Sequence, residues 1–313
     1  MAGSLTAVLI TRHALGRADG YDAALLDVAQ DHLLYLLDAA GVFDSGQLAF
    51  KGGTSLRKCR LGTDGRFSTD LDFAAPDDDT VLEVCSLIDG ARISEFRYQL
   101  ASTRGDGRHW ALTITHPELG SPNIAASVEF ARRPLALPTE RLAFVALPIH
   151  RHYEITLPIL PVVAETEACA EKLARYRRVA LARDLYDLYQ FTRRTMDEAL
   201  VRRLWVLKVW GDVIDDHRGT RPAAPDDVLH PRTERDIQPD SIGVLTRPVD
   251  LTAWEAAVRK RFQFLNDLDP DETRWVTCDE RHRREITNAL NTLKPVGSES
   301  AGHGPTREDR PSC

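Results

Sequence analysis

The chain has 313 residues, of which 43% are hydrophobic and 28% charged, and its formal net charge is −7. This composition is typical of a globular protein and excludes a collagen-like or wholly disordered chain. No apolar stretch approaches the roughly 20 residues of a bilayer-spanning helix, and the apolar run 5–10 lacks the preceding basic residues of a secretory signal. The acidic balance argues against a protein that coats nucleic acid non-specifically. We therefore expect a cytoplasmic protein with no membrane and no DNA partner.

The first half of the chain mixes helical and strand patterns. Apolar residues at helical spacing predict a helix from Tyr21 to Ala40, and a second helix follows the acidic residues 77–79 as far as Ile88. A Gly-rich turn at 51–55 leads from a short strand into a short helix that ends near Arg60. Strands are predicted over 48–50, 67–74, 95–101, 110–115 and 124–130.

The second half is almost wholly helical in pattern. The connection 215–248 has little periodicity, and the Gly, Ser and Pro content beyond Lys294 predicts disorder. We therefore predict an α+β fold: a mixed-sheet domain over 1–160, a helical domain over 161–294 and a disordered tail over 295–313. Helices are predicted over 164–175, 182–194, 197–213, 253–267 and 279–293.

Two acidic residues in the strand 67–74 are the first candidate site residues. Asp70 and Asp72 are two positions apart, so both carboxylates lie on one face of the strand. Carboxylate oxygens at this spacing can bind one or two divalent cations, and Mg²⁺ is the natural choice. The alternative is that the two aspartates form surface ion pairs with Arg57 or Arg66.

The Gly-rich turn is the second candidate. Gly52 and Gly53 precede a short helix, and backbone N–H groups at such a position bind phosphate. Thr54 and Ser55 are expected to add hydroxyl donors. A nucleoside triphosphate and a metal ion would then meet in one site.

Glu129 is a candidate third carboxylate, because two-metal phosphoryl transfer commonly uses one. It lies in the apolar strand segment 127–130, where an unpaired carboxylate is costly if it is buried. The alternative is an edge strand on which Glu129 faces water.

Charged residues recur in the helical region. On one unbroken helix Lys172 and Asp187 would lie about 22 Å apart, so joint action requires two helices with a turn near 178–181. Asp184 and Asp187 are spaced i, i+3 and share a face, so either one fits an active-site role. An ordinary charged helix pair is the alternative.

Basic residues also concentrate here, and a phosphate-rich acceptor such as RNA would be drawn to them. A solvated helix face has the same appearance. The candidate RNA-binding residues are Arg175, Arg177, Arg178 and Arg183.

Taken together, the motifs resemble those of the AbiEii/MenT nucleotidyltransferase toxins of type IV toxin-antitoxin systems, in the polymerase-β-like superfamily. The resemblance covers roughly residues 20–195 and is carried by 51–58 (KGGTSLRK), 66–73 (RFSTDLDF), 171–173 (EKL) and 183–188 (RDLYDL). It implies a nucleotidyltransferase core with a helical C-terminal domain. A nucleoside triphosphate and Mg²⁺ would be the reactants, tRNA the acceptor, and the antitoxin would be encoded next to the toxin.

The resemblance also implies roles for single residues. It assigns metal binding to Asp70 and Asp72, phosphate binding to Gly53 and Thr54, a triphosphate contact to Lys172, a second acidic position to Asp187 and, less closely, the third carboxylate to Glu129.

The hypothesis that follows is transfer of a nucleoside monophosphate, a pyrimidine one from CTP or UTP, to the 3′ end of tRNA. The alternatives are nucleotidylation of a protein or small molecule, a catalytically silent nucleotide-binding module, and a metal-dependent nuclease. Ser68 shares the strand face of Asp70 and Asp72. A phosphate there would add about two negative charges beside the metal ligands, so phosphorylation of Ser68 by a partner is predicted to inactivate the enzyme. The alternative is that the unmodified hydroxyl of Ser68 aids the site.

Overall fold

The predicted α+β fold is confirmed by a computed structural model of the chain. Eight strands of the described part form one mixed sheet, and helices make up most of the chain beyond it. No helix of the described part is long and apolar enough to cross a membrane. The predicted tail 295–313 lies outside the described residues. The structure describes residues 5–15, 20–44, 46, 48–102, 107–119, 124–131, 134–220, 222–237, 244–245 and 248–293.

The sheet places its second strand near the centre. The strands are β1 (Ala49–Lys51), β2 (Asp70–Ala74), β3 (Arg92–Ile93), β4 (Phe96–Ser102), β5 (His109–Thr115), β6 (Ile124–Ala131), β7 (Glu140–Ala143) and β8 (Ile159–Val162). Their order across the sheet is β3-β4-β5-β6-β2-β1-β8-β7. β2 pairs with β1 in antiparallel and with β6 in parallel orientation. The sequence did not predict β3, β7 and β8, which have only two to four residues each.

The predicted helices are present, with ends that differ by a few residues. At Arg57 the chain passes from α3 into one wider π-helical turn that ends at Leu61. The helices are α1 (Ala7–His13), α2 (Tyr21–Ala39), α3 (Gly52–Leu56), α4 (Asp78–Ile88), α5 (Glu165–Arg178), α6 (Ala182–Phe191), α7 (Glu198–Ile214), α8 (Asp226–Leu229), α9 (Leu251–Arg261), α10 (Pro270–Trp275) and α11 (Arg283–Leu293).

Two large hydrophobic clusters form the core. The first joins the sheet to α2 and α4, with residues such as Leu33 and Phe73 fully buried. The second lies among the later helices and includes Trp205 and Phe262. The last strand ends at Val162 and α5 begins at Glu165, close to the predicted boundary; the division into separate domains stays a prediction.

A buried group of charges, here called the closed cluster, fixes α2 to the segment that follows α3. It consists of Asp27 and Asp31 on α2, and Arg57 and Lys58. Arg57 Nε donates to Asp27 Oδ1 at 3.0 Å, and Lys58 Nζ donates to Asp31 Oδ1 at 2.6 Å. Burial opposes ionisation of Asp27, but Arg57 and Lys58 outweigh it and hold the pKa of this carboxyl well below its usual value. These ion pairs therefore attach the segment that follows the Gly-rich turn to α2.

Candidate active site

Four side chains form a line across the sheet, here called the sheet row: Lys51, Asp72, Glu129 and His109. Asp72 on β2 is the register partner of Lys51 on β1 and of Glu129 on β6, and His109 on β5 is the partner of Glu129. Register partners lie on the same face of a sheet. Asp70, two residues before Asp72, lies on this face as well. The structure thus brings together the three carboxylates that the sequence singled out.

Asp70 is held by hydroxyl groups. Its Oδ1 accepts hydrogen bonds from Ser127 Oγ at 2.9 Å and from Thr69 Oγ1 at 3.0 Å. The nearest cation is Arg183, whose Nη1 lies 3.9 Å from Asp70 Oδ2. The ion pairs with Arg57 or Arg66, considered as an alternative above, are not formed: Arg57 belongs to the closed cluster, and Arg66 pairs elsewhere.

Asp72 carries negative charge that its neighbours do not balance. Burial and the nearby carboxylates of Asp70 and Glu129 raise the pKa of Asp72 to about 6, although Lys51 and Lys172 act in the opposite direction. Among the described residues Asp72 takes part in no ion pair. A bound cation would relieve this repulsion.

The donor set fits Mg²⁺. This ion is typically held by one or two carboxylates together with substrate phosphates and water, rather than by a complete protein cage. Asp70 and Asp72 provide the hard oxygen ligands, and in the described part of the chain no group of three or more His, Cys, Asp or Glu is arranged as a metal site. Binding of Mg²⁺ stays a prediction.

The Gly-rich turn lies directly against the sheet row. Gly52 has a φ of +77°, and a Cβ at this position would lie 1.8 Å from Asp72 Oδ2. A Cβ at Gly53 would lie 2.3 Å from Arg66 Nη2. Gly52 therefore requires glycine for both conformation and space, whereas a side chain at Gly53 would displace the guanidinium group of Arg66.

The hydroxyls of Thr54 and Ser55 differ from the prediction. Thr54 Oγ1 donates to the backbone carbonyl of Asp70, and Ser55 Oγ donates to the carbonyl of Gly52 at 2.9 Å. A hydroxyl has one proton to donate, so in this structure neither is available as a phosphate donor. Their role here is to hold the turn against β2.

Lys172 is bound by both candidate aspartates. Its Nζ lies 3.0 Å from Asp184 Oδ1 and 2.7 Å from Asp187 Oδ2. This contact is possible because α5 and α6 are separate helices with a break at 179–181. Such a break was predicted from the sequence for Lys172 and Asp187 to act together. Asp187 also accepts from Arg66 Nε at 3.1 Å, while Asp184 lies 3.1 Å from Arg175 Nε. Both aspartates thus hold Lys172, and Asp187 also connects it to the segment before β2.

The site opens into a cleft of about 290 Å³ between the sheet face and α5 to α7. Of its described lining residues, eight are Lys or Arg and six are Asp or Glu, whereas the whole chain has a net charge of −7. The cations are Lys51, Arg66, Lys172, Arg175, Arg178, Arg183, Lys208 and Arg218. The sheet row therefore faces a basic wall.

Three of the four arginines predicted to bind RNA lie on this wall: Arg175, Arg178 and Arg183. Arg177 does not. Its side chain is only 2% exposed, and its Nε donates to Asp227 at 2.6 Å. Arg177 therefore joins α5 to α8, and this buried position away from the cleft does not favour the predicted role in RNA binding.

Ser68 lies in the lining of the cleft, together with Asp70 and Asp72. It is 9% exposed, and its backbone carbonyl accepts a hydrogen bond from Gln30 on α2. The predicted modification site is therefore beside the carboxylates, and a phosphate would occupy the cleft itself.

Sequence reasoning missed Glu171, Lys208, His109 and the role of Lys51. Glu171 Oε2 lies 2.8 Å from Lys51 Nζ, and its Oε1 lies 3.0 Å from Lys208 Nζ. Lys51 and Glu171 are the first residues of the motifs 51–58 and 171–173, and this position inside the motifs was the available signal. Lys208 and His109 lie outside every motif.

Comparison with known proteins gives the family. The profile of the family described as nucleotidyl transferase AbiEii toxin, type IV toxin-antitoxin system, matches residues 35–285. Among solved structures, MenT4, a nucleotidyltransferase toxin from Mycobacterium tuberculosis H37Rv, is 72% identical with a TM-score of 0.90, and the match covers 93% of this chain and 99% of that chain. A putative nucleotidyltransferase from H. pylori is 15% identical with a TM-score of 0.44, covering 78% of this chain and 95% of that chain.

The comparison with curated protein sequences gave no match. The family profile nevertheless spans most of the chain, and the match to the mycobacterial toxin extends over nearly all of both proteins. The chain therefore belongs to the AbiEii family of nucleotidyltransferase toxins of type IV toxin-antitoxin systems.

Proposed function

We propose that the protein transfers a nucleoside monophosphate from a nucleoside triphosphate to the 3′ end of tRNA and thereby blocks translation. The observation that carries the proposal is the sheet row, in which Asp72 and Glu129 lie side by side and face a basic cleft wall. Burial and the neighbouring carboxylates raise the pKa of Asp72 although Lys51 and Lys172 act against them. Such a site suits a substrate that supplies both a metal ion and phosphate groups.

The reaction needs a base, an electrophilic phosphorus and a leaving group. The acceptor hydroxyl forms a bond to the α-phosphorus, the bond from this phosphorus to the β-phosphate oxygen breaks, and pyrophosphate leaves with the electron pair. Glu129 or Asp70 takes the hydroxyl proton. Mg²⁺, held by Asp70 and Asp72, would supply charge neutralisation at the phosphates.

Lys172 has the position expected of a triphosphate contact. It lines the cleft and its charge acts on Asp72, so its ammonium group lies close to the sheet row. Asp184 and Asp187 fix this ammonium group from behind. A positioned cation of this kind stabilises negative charge that develops in the transition state.

The basic wall supports a nucleic-acid acceptor. Arg175, Arg178 and Arg183 line the same cleft as the carboxylates, so a phosphate-rich acceptor bound there would bring its end to the reacting groups. That this acceptor is tRNA and that the donor is CTP or UTP stay predictions, which the labelling experiment below tests directly.

The family also implies an antitoxin partner. Because Ser68 lies in the cleft lining beside Asp70, a phosphate on its hydroxyl would place about two negative charges against carboxylates that already repel each other. Phosphorylation of Ser68 by such a partner would therefore inactivate the enzyme. Full activity of a stoichiometrically phosphorylated sample would contradict this.

The experiment uses purified protein, Mg²⁺, total tRNA and each of the four α-labelled nucleoside triphosphates in turn, with RNA and protein resolved on one gel. The Asp70→Ala variant should lose transfer. Asp267→Ala is the matched control, because Asp267 is exposed and lies outside the cleft lining.

Each outcome has a separate meaning. Label on tRNA that is lost only in Asp70→Ala supports the proposal and identifies the donor. Label on protein would replace tRNA by a protein acceptor, and nucleotide binding without pyrophosphate release would favour a silent binding module. Full activity of Asp70→Ala would remove Asp70 from the mechanism.

A further inference from the structure

Lys51, at one end of the sheet row, has no role in the function described so far. It is the first residue of the Gly-rich turn, and it is the register partner of Asp72. Its ammonium group lines the cleft and acts on the Asp72 carboxylate. A cation is thus placed within reach of any phosphate that binds at Asp72.

Glu171 holds this cation in place. One of its oxygens lies 2.8 Å from Lys51 Nζ and the other lies 3.0 Å from Lys208 Nζ. Burial opposes ionisation of Glu171, but the two lysines outweigh it and lower its pKa to about 2. The carboxylate is therefore ionised at physiological pH and fixed by two ion pairs.

Lys208 is itself fixed from the other side. It pairs with Glu167, which is fully buried. The two oxygens of Glu167 also accept hydrogen bonds from the backbone of Ala136 and Leu137, at 2.9 to 3.1 Å. A rigid chain of contacts thus runs from the interior of the protein to Lys51.

The order of the sheet row gives the cleft a direction. Across the strands the order is His109, Glu129, Asp72 and Lys51. Glu129, one of the two candidate proton acceptors, lies on one side of Asp72, and Lys51 lies on the other. In-line displacement at phosphorus requires the attacking and the leaving oxygen on opposite sides.

We propose that Lys51 binds the β- and γ-phosphates and stabilises the pyrophosphate as it leaves, and that Glu171, held by Lys208, is the positioning residue that directs the Lys51 ammonium group. The acceptor hydroxyl then approaches from the Glu129 side. This inference rests on the proposed nucleotidyltransferase function and assigns the leaving-group side of its site. An ammonium group has three protons, so Lys51 can keep its bond to Glu171 and still donate to phosphate oxygens.

The test measures binding of inorganic pyrophosphate in the presence of Mg²⁺ by calorimetry, and product inhibition of transfer by pyrophosphate. Lys51→Met keeps the aliphatic part of the side chain and removes its charge. The affinity for pyrophosphate and the inhibition of transfer by pyrophosphate should therefore both weaken by roughly tenfold or more. Lys208→Met should give a smaller effect in the same direction. Lys51 keeps its charge and its ion pair with Glu171, but Glu171 loses its ion pair with Lys208. Lys260→Met is the control, because Lys260 is exposed and lies outside the cleft lining.

Further measurements separate this role from a purely structural one. Binding of nucleoside monophosphate should be unchanged in Lys51→Met and Lys208→Met, because this ligand lacks the β- and γ-phosphates; unchanged binding also shows that the variants fold. Lys51→Arg should recover part of the pyrophosphate affinity. If pyrophosphate inhibits Lys51→Met as strongly as the wild type, the assignment of Lys51 is overturned, but the transfer reaction is not. If the wild-type protein shows no transfer at all, the proposed function is overturned.

Discussion

Two groups of charged residues lie on either side of the Gly-rich turn, and they differ in how completely they are paired. In the closed cluster, Asp27 is 2% exposed and has Arg57 and Lys58 as partners, and its pKa falls. In the sheet row, Asp72 is less buried, has carboxylate neighbours, and its pKa rises to about 6. Burial alone therefore does not mark a candidate functional carboxylate. A raised pKa caused by neighbouring carboxylates does, because a bound cation would relieve the repulsion between them.

The largest effect should come from removing charge in the sheet row. Asp72→Asn keeps the shape of the side chain but removes the charge of a proposed Mg²⁺ ligand, so we expect transfer to fall by about 100-fold or more. The melting temperature should stay the same or rise, because the mutation relieves repulsion from Asp70 and Glu129. Transfer assays and thermal unfolding of the same preparations measure both. A large loss of stability would show that Asp72 is structural.

The same substitution in the closed cluster should have the opposite profile. Asp27→Asn leaves Arg57 and Lys58 buried with less compensation, and breaking a buried pair in this way costs about 3 to 5 kcal/mol. At roughly 2 to 4 °C per kcal/mol for a chain of this size, the melting temperature should fall by about 10 °C. Activity assayed well below that temperature should be largely retained. Loss of activity without loss of stability would join the closed cluster to the catalytic site.

The two groups should also respond to pH with opposite signs. The folded-state pKa of Asp72, about 6, exceeds its usual value of 3.8, so between these values the folded protein binds more protons than the unfolded chain. The contribution of Asp72 to stability is therefore greatest below about pH 4 and declines as pH rises through 6. The pKa of Asp27 is lowered, so its contribution is present above pH 3.8 and is lost as pH falls further.

Thermal unfolding of the wild type and Asp72→Asn between pH 4 and pH 7.5 tests the first sign. The difference in melting temperature, variant minus wild type, should increase with pH, because only the wild type loses the contribution of Asp72. The effects of all other titrating groups are present in both proteins and largely cancel in this difference. A difference that does not change with pH would mean that Asp72 keeps its usual pKa.

The sequence predicted those parts of the site that depend on local spacing. The i, i+2 spacing of Asp70 and Asp72 fixes their common face whatever the rest of the sheet does. The sheet row could not be predicted, because it depends on the strand order β5-β6-β2-β1, which does not follow the chain. The strand β8 lies next to β1 inside the sheet, yet its four residues carry no alternation and include a proline.

Two predictions differ from the arrangement in this structure, and the differences have local physical causes. Thr54 and Ser55 were expected to face a phosphate, but backbone carbonyls within the turn and on β2 lie close enough to accept their protons. Arg177 was grouped with Arg175 by position in the sequence. At about 100° per residue, two residues apart on a helix point in nearly opposite directions, so the helical pattern alone separates these two side chains.

This pair of arginines gives the smallest predicted effect and compares an exposed with a buried ion-paired cation within one helix. Arg175 is 42% exposed on the cleft wall, whereas Arg177 is 2% exposed and bound to Asp227. If Arg175 contacts an RNA phosphate, Arg175→Gln should weaken RNA binding a few-fold and reduce the slope of log affinity against log salt by about one unit. Arg177→Gln should leave that slope unchanged and lower the melting temperature instead, because it leaves the Asp227 carboxylate without its partner. The slope depends on the counterions that RNA binding releases and not on protein stability. A slope that is reduced for Arg177→Gln and unchanged for Arg175→Gln would therefore place the RNA on the other side of α5.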